Sequence, residues 1–236
     1  MSLIWSAAGA ATGLLTGAVL RGPVFRFSVP SGEPERAACP HCAAPADRWL
    51  LGWCTHCQGS LGIPAALELA SAAVLALVLG RIGGQPDTLA LVFISALGVA
   101  LAAIDLAVQR LPDRLVLPAY PVLILLLAVP ALLQHSTGAL LRSLLGGVAL
   151  AAAYLALALV RPGGMGGGDI KLAGLAGLAM GWLGWPTVLV GTLLAFALSA
   201  IVSLALLVTR RITLRSHIAF GPFLLGGALL AIVAAR

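Results

Sequence analysis

Long apolar stretches alternate with short polar ones along most of the chain. A helix needs about 20 mainly apolar residues, with a range of about 17–25, to cross a bilayer. Eight stretches meet or approach this length, at residues 3–20, 62–79, 88–104, 115–133, 139–160, 172–185, 187–208 and 218–235. The sixth is short, and the glycine run that precedes it is the reason for including it. The pattern therefore predicts an all-α polytopic membrane protein with about eight transmembrane helices.

Composition narrows the class of protein further. Of the 236 residues, 61% are hydrophobic and 9% are charged, and the mean hydropathy is +1.07. Soluble domains carry about 25% charged residues, so the composition excludes a soluble domain and makes the lipid bilayer the expected surroundings. The net charge of +6 needs no nucleic-acid partner, because the Lys and Arg residues of membrane proteins collect in cytoplasmic loops.

The distribution of Lys and Arg predicts how the chain is oriented in the membrane. Eleven of the 14 basic residues lie in alternate loops, which include residues 21–61, 105–114 and 161–171. Only three lie in the other loops or at the C-terminus. By the positive-inside rule the first set faces the cytoplasm. The sequence therefore predicts a multi-pass membrane protein with most of its polar features on the cytoplasmic side.

All four cysteines lie close together in the segment between the first two predicted spans. Cys39 and Cys42 form one C-x-x-C pair, and Cys54 and Cys57 form a second after eleven further residues. Two such knuckles supply the four soft ligands of a tetrahedral structural zinc site. Disulfides are the alternative, which a cytoplasmic location disfavours because thiols are kept reduced there. The pattern predicts a small cytoplasmic zinc knuckle.

Three aspartates interrupt the apolar pattern. Asp105 ends the third predicted span, Asp113 opens the fourth, and Asp169 follows the glycine run. A charged Asp at the bilayer centre costs about 2.5–3.5 kcal/mol on insertion scales, so it usually faces a cavity, a partner or an interface. Simpler roles remain open: Asp113 as a helix N-cap, Asp169 as the cap of a helix over 170–180, and Asp105 as a loop carboxylate paired with Arg110.

Asp105 and Asp169 together indicate a specific chemistry. Both are predicted at cytoplasmic ends of spans, and two carboxylates brought close together cannot both ionise, so they share one proton. One carboxylate can then take a proton from water while the other protonates a scissile carbonyl oxygen. This is the chemistry of an aspartic protease, which uses neither a metal ion nor a covalent intermediate.

Three motifs resemble those of the type IV prepilin peptidase family, whose members are membrane aspartyl proteases of the G-x-G-D type. They are Asp105 with Leu111-Pro112-Asp113, the run Gly166-Gly167-Gly168-Asp169-Ile170-Lys171-Leu172, and Ala219-Phe220-Gly221-Pro222-Phe223. The tetracysteine segment resembles that of the bifunctional bacterial members, and Pro64 with Glu68 resembles the start of their second span. The resemblance covers nearly the whole chain.

The resemblance implies an enzyme of a prokaryotic inner membrane. Such enzymes cut the short basic leader of prepilins and pseudopilins on the cytoplasmic side, commonly after a glycine. It implies Asp105 and Asp169 as the catalytic pair. It also implies supporting residues around the site, namely Gly166, Gly168, Lys171, Asp113, Gly221 and Pro222. The expected division is an N-terminal part over residues 1–85, which carries the tetracysteine loop, and a membrane peptidase domain over residues 86–236.

Bifunctional members of that family also methylate the new N-terminus with S-adenosylmethionine. This chain departs from their usual pattern after the first span, where residues 20–26 read Leu-Arg-Gly-Pro-Val-Phe-Arg. The second activity therefore stays an open alternative, and the sequence names no residues that bind the methyl donor. Two other hypotheses compete with the peptidase: a carboxylate-based transporter or proton pathway, and a zinc-bearing membrane scaffold without chemistry.

Overall fold

A computed structural model describes residues 3–30, 32–46, 49–62, 65–160, 166–211, 213 and 218–236. Within these ranges it contains eight helices and one two-stranded antiparallel hairpin. In chain order the elements are α1 Leu3–Phe27, β1 Trp49–Leu50, β2 Trp53–Cys54, α2 Ala66–Ile82, α3 Thr88–Val108, α4 Asp113–Leu133, α5 Thr137–Val160, α6 Gly167–Leu183, α7 Trp185–Val208 and α8 Gly221–Ala234. The predicted all-α class and the predicted eight helical segments are confirmed.

The helices differ in how readily they could cross a membrane. Five helices in the described ranges are long and apolar enough by length and composition, namely α1, α3, α4, α5 and α7. The helix α8 is apolar but shorter, and α2 and α6 have 17 residues each. The number of spans is therefore about eight rather than a sharp count.

Two helix starts differ from those predicted. The last span was predicted from residue 218, but α8 begins at Gly221 with Pro222 in its first turn. Proline suits this position because the first turn has no partner for its missing N–H. Asp113 was expected as the N-cap of α4, but Pro112 occupies the cap and Asp113 is the first helical residue.

The described residues fall into two compact units, Met1–Arg110 and Leu111–Arg236. In the first unit α1 and α2 approach very closely. Gly9, Gly13 and Gly17 recur every four residues on the face of α1 that meets α2. A Cβ atom at Gly17 would lie 2.6 Å from the backbone nitrogen of Glu68. Small residues thus allow backbone contact between helices, which is a common basis of helix association in lipid.

A buried arginine ties the cysteine segment to this helix pair. The side chain of Arg21 in α1 is only 3% exposed. Its Nη1 atom lies 3.0 Å from Oε1 of Glu68 in α2, and its Nε donates to the carbonyl oxygen of Leu61 at 3.1 Å. The guanidinium also stacks over the ring of Trp53 in β2, 5.4 Å from its centroid. Arg21 therefore contacts α2, the hairpin and the chain that leads into α2.

In the second unit α5 and α6 run antiparallel and interlock through glycines. A Cβ atom at Gly146 would lie 2.8 Å from the carbonyl oxygen of Gly177, so neither helix has room for a larger residue there. Ser143 of α5 donates to the carbonyl oxygen of Leu178 at 2.6 Å. Arg142 donates to the last carbonyls of α6, at Gly181 and Trp182, over 3.0 and 2.9 Å. A cation here also complements the negative end of the helix dipole.

Candidate functional site

Asp169 lies in the first turn of α6. The glycine run gives the chain an extended residue at Gly166, with φ −77° and ψ 149°, and the helix starts at Gly167. The backbone N–H of Gly166 donates to Oδ2 of Asp169 over 3.3 Å, which is the return bond of a capping box. Asp169 was expected as the cap of a helix over 170–180, but Gly166 occupies the cap position and the helix begins at Gly167. Asp169 contributes to the helix start from inside the first turn.

The residue two positions after Asp169 is held by α4 at two points. Lys171 Nζ lies 2.6 Å from Oδ1 of Asp113 in an ion pair whose side chains are 39% and 55% exposed. The hydroxyl of Tyr120 donates to the main-chain carbonyl oxygen of the same lysine over 2.6 Å. Sequence reasoning selected Asp113 and Lys171 but missed Tyr120. The available signal was its position seven residues after Asp113, two turns along the same face of a helix.

Glycines on α6 allow α4 and the chain that leads into it to come this close. A Cβ atom at Gly168 would lie 2.9 Å from Cβ of Leu111, just before α4. A Cβ atom at Gly174 would collide with the hydroxyl of Tyr120. Gly167, by contrast, has open space beside it. Gly168 and Gly174 are therefore required by packing, whereas Gly167 is not.

Asp105 lies in the first unit, one turn before the end of α3. Asp105 is only 5% exposed, which is unusual for an aspartate, and the residues just before it are all apolar. The helix ends where the N–H of Gln109 returns to the carbonyl oxygen of Asp105 at 2.8 Å, with Gln109 in a left-handed conformation at φ 50°. Arg110 then donates to the carbonyl oxygen of Pro30 over 3.2 Å. Buried ionisable groups at the ends of apolar helices are frequent functional positions.

The four cysteines converge as the sequence predicts. Their Sγ atoms all lie within 4.8 Å of one another, and all four are free thiols rather than disulfides. Cys39 Sγ is 3.7 Å from Cys57 Sγ, and Cys42 Sγ is 3.6 Å from Cys54 Sγ. Zn–S bonds of about 2.3 Å in a tetrahedron place the sulfurs about 3.8 Å apart. The donor set and its spacing therefore fit a tetrahedral metal ion.

Local backbone bonds shape each half of this cluster. The N–H of Cys39 donates to the carbonyl oxygen of Ala44 at 2.8 Å, and the N–H of Cys54 donates to that of Gly59 at 3.0 Å. Each pair of cysteines therefore sits in its own tight loop. Because such loops form within a few residues of chain, C-x-x-C spacing was a sufficient signal for the cluster.

Cys42 and Cys54 differ in the pKa of their thiols. The backbone N–H of Cys57 lowers the pKa of the Cys54 thiol, outweighing its burial, to about 6. The backbone N–H of Ala44 lowers the pKa of Cys42, but burial and bonds from the other three cysteines raise it to about 12. Four thiolates at this spacing repel one another, and a divalent cation among them offsets that repulsion.

The fold and these sites together define a class: a helical membrane protein with acidic residues at helix ends and a separate cluster of four cysteines that could bind a metal ion. Comparison with known proteins identifies the family within this class. Residues 91–208 match the model of the type IV leader peptidase family. No solved structure matches the chain.

Curated relatives agree with this match. The chain is 34% identical over 211 residues to a prepilin leader peptidase/N-methyltransferase of Burkholderia pseudomallei, covering 81% of this chain and 65% of that protein. It is 30% identical to a protein of the same name from Aeromonas hydrophila, covering 86% and 71%. A third, from Pseudomonas aeruginosa, is 30% identical with 80% and 68% covered. The chain belongs to the type IV leader peptidase family. It spans about 65% of the length of the Burkholderia relative.

Proposed function

We propose that this chain is a membrane-embedded aspartic endopeptidase that removes the basic leader peptide of type IV prepilins or pseudopilins. The observation that carries the proposal is the family match over residues 91–208, which includes both Asp105 and Asp169. The names of the relatives, which are prepilin leader peptidases, support the prepilin leader as the substrate class. The peptidase domain then corresponds to residues 86–236, and residues 1–85 form the part that carries the cysteine cluster.

Asp105 and Asp169 are the proposed catalytic pair. The carboxylate that lacks the shared proton takes one from water, and the water oxygen attacks the scissile carbonyl carbon. The other carboxyl group gives its proton to the carbonyl oxygen. When the tetrahedral intermediate collapses, the C–N bond breaks and the leaving nitrogen takes up a proton from the pair. The burial of Asp105 near the end of an apolar helix supports this role, because ionisable residues within membrane-spanning segments are commonly functional.

Supporting roles follow from the contacts within the second unit. Gly166 and Gly168 give Asp169 its position in the first turn of α6, and an exposed ion pair between Lys171 and Asp113 adds a contact from this part of α6 to α4. Gly221 and Pro222 start α8 and are proposed to line the site. The Lys and Arg asymmetry of the loops supports a site that faces the cytoplasm of a prokaryotic inner membrane.

Substitution of single carboxylates tests the catalytic pair. The full chain is co-expressed with a prepilin, and leader removal is compared for the wild type, Asp105→Asn and Asp169→Asn. Each substitution should lower the rate by at least about 10²–10⁴-fold, the usual contribution of a general acid or base. Asp87→Asn is the matched control, since Asp87 is also a buried aspartate and lies just before α3, at the end of the helix opposite to Asp105. Cleavage that both Asn variants leave unchanged would end the peptidase proposal.

The four cysteines hold a structural zinc ion in this proposal. Four protein ligands close the tetrahedron, so no coordination position remains for water or substrate. Zinc would thus join the two loops of residues 39–44 and 54–59. Metal analysis of the purified full chain should find about one equivalent of zinc. Less than about half an equivalent would count against a zinc site.

N-methylation remains an open alternative for this chain. It rests on two observations: the relatives are named as N-methyltransferases as well as leader peptidases, and this chain has the cysteine cluster. Transfer of a labelled methyl group from S-adenosylmethionine to a mature pilin N-terminus tests it. A transporter or proton pathway, the other use of two intramembrane carboxylates, is not favoured because the chain belongs to a leader peptidase family.

A further inference from the structure

The first turn of α6 is attached to the α4 segment on both sides of Asp169. Before Asp169, the backbone of Gly168 touches Leu111 so closely that an added Cβ atom would lie 2.9 Å from Cβ of that leucine. After Asp169, both ends of Lys171 are held by α4. Its ammonium group meets Asp113, and its main-chain carbonyl oxygen accepts the hydroxyl of Tyr120. Asp169 is therefore bracketed by contacts to one neighbouring segment.

The two bonds to Lys171 are not equivalent. The Asp113–Lys171 ion pair is exposed, so solvent and salt screen it and its contribution to order is small. The hydrogen bond from Tyr120 is partly buried, and its acceptor is a main-chain oxygen. It therefore constrains the helix itself rather than a mobile side chain. The hydroxyl of Tyr120 fits there only because residue 174 is glycine, since any side chain at that position would occupy the place of the hydroxyl.

From this geometry we propose that Tyr120 is a positioning residue for Asp169. Its hydroxyl fixes the main chain of α6 just after the first turn, two residues beyond Asp169, and so sets the direction of the Asp169 carboxylate, whereas the Asp113–Lys171 pair only reinforces it. This role rests on the proposed function, since it assumes that Asp169 is catalytic. Tyr120 itself contacts no reacting atom. A displacement of about 1 Å in a catalytic group can lower the rate about 10²-fold.

The test compares Tyr120→Phe with Ser143→Ala in the full chain reconstituted in lipid. Both substitutions remove one hydroxyl that donates over 2.6 Å to a carbonyl of α6, at Lys171 and at Leu178 respectively. Amide hydrogen exchange is measured along α6. Tyr120→Phe should raise exchange over residues 168–172 at least about fivefold, and Ser143→Ala should raise it only beyond residue 175.

Cleavage kinetics provide the second measurement. Tyr120→Phe should lower kcat about tenfold, leave KM within about twofold and shift the pH–rate profile, because the carboxylate and not the substrate is displaced. Ser143→Ala should leave kcat per folded molecule unchanged. Gly174→Ala provides a second variant that keeps the hydroxyl but fills its place, and it should behave like Tyr120→Phe.

The outcomes separate this proposal from the proposed function. Unchanged exchange over 168–172 in Tyr120→Phe overturns the positioning role whatever the activity. Raised exchange with unchanged kcat, in an enzyme that Asp169→Asn inactivates, also overturns it. Normal cleavage by Asp169→Asn instead overturns the peptidase assignment, and the exchange result still reports whether Tyr120 holds the first turn of α6.

Discussion

Replacing Gly177 by alanine should loosen the α5–α6 pair, which forms much of the second unit. Gly177 faces Gly146 and Gly147 across the closest approach of the two helices. An added Cβ atom would lie 2.9 Å from the carbonyl carbon of Gly146 and 3.0 Å from Cα of Gly147. Carbon atoms normally rest about 3.5–4.0 Å apart. Because every obstructing atom belongs to a backbone, the helices must separate by roughly 0.5–1 Å.

The expected loss of stability follows from three terms. Overpacking costs about 1–3 kcal/mol. Separation also weakens the 2.6 Å bond between Ser143 and the carbonyl of Leu178, and such a bond contributes about 0.5–1.5 kcal/mol. The higher helix propensity of alanine returns about 0.8–1 kcal/mol. The net effect of Gly177→Ala should be a loss of about 1–3 kcal/mol in the free energy of unfolding.

Unfolding of the full chain by a denaturing detergent, followed by circular dichroism, measures this loss. Gly138→Ala is the matched control on α5, because a Cβ atom there meets nothing within 4 Å. The control should unfold at the wild-type midpoint or slightly above it, since alanine favours the helix. If Gly177→Ala unfolds together with the control, the glycine contact does not limit how closely α5 and α6 pack.

Three further results are expected. Arg21→Lys should lower stability by about 3 kcal/mol in the same unfolding assay, because lysine cannot reach Leu61 and Glu68 at once and leaves a buried charge poorly paired; an unchanged midpoint would contradict this. Cys54→Ser should reduce bound zinc to below about half an equivalent and raise hydrogen exchange over residues 49–60, and full zinc retention would refute the four-ligand site. Asp113→Lys and Lys171→Asp should each lower activity, and the double variant that carries both changes should recover most of the loss, because it restores an ion pair with the charges exchanged. Additive losses in the double variant would show that the two residues do not act as an ion pair.

Hydropathy located seven of the eight helices and the glycine run added α6, because lipid accepts only long apolar helices and leaves few other ways to arrange such a chain. It misjudged the end of the first. The sequence suggested an end near residue 20, before Arg21, but α1 continues to Phe27. The arginine stays inside the helix because Glu68, distant in sequence, neutralises it and Leu61 accepts its second bond. A hydropathy average over neighbouring residues includes the charge of Arg21 but not the distant Glu68 that neutralises it.

Interactions between residues that are close in the chain were also predictable from the sequence. The C-x-x-C spacing predicted the cluster of Cys39, Cys42, Cys54 and Cys57, because each pair lies within one tight loop. The glycine run and Asp169 predicted a helix start within three residues of the observed one, since the groups that cap a helix lie within four residues of each other. In such cases the residues that interact are already neighbours in the chain.

The sequence by itself determined the class of fold, the helical segments, the cysteine cluster and the aspartates worth testing. Only the tertiary structure decided that Tyr120 holds Lys171, that Asp113 pairs with that lysine instead of capping α4, and that Gly146 faces Gly177. The reason is physical. Hydropathy reports whether a segment prefers lipid or water, and many arrangements of apolar helices satisfy it equally well. Which helix lies beside which is set by close backbone approach and a few buried polar bonds between residues far apart in the chain.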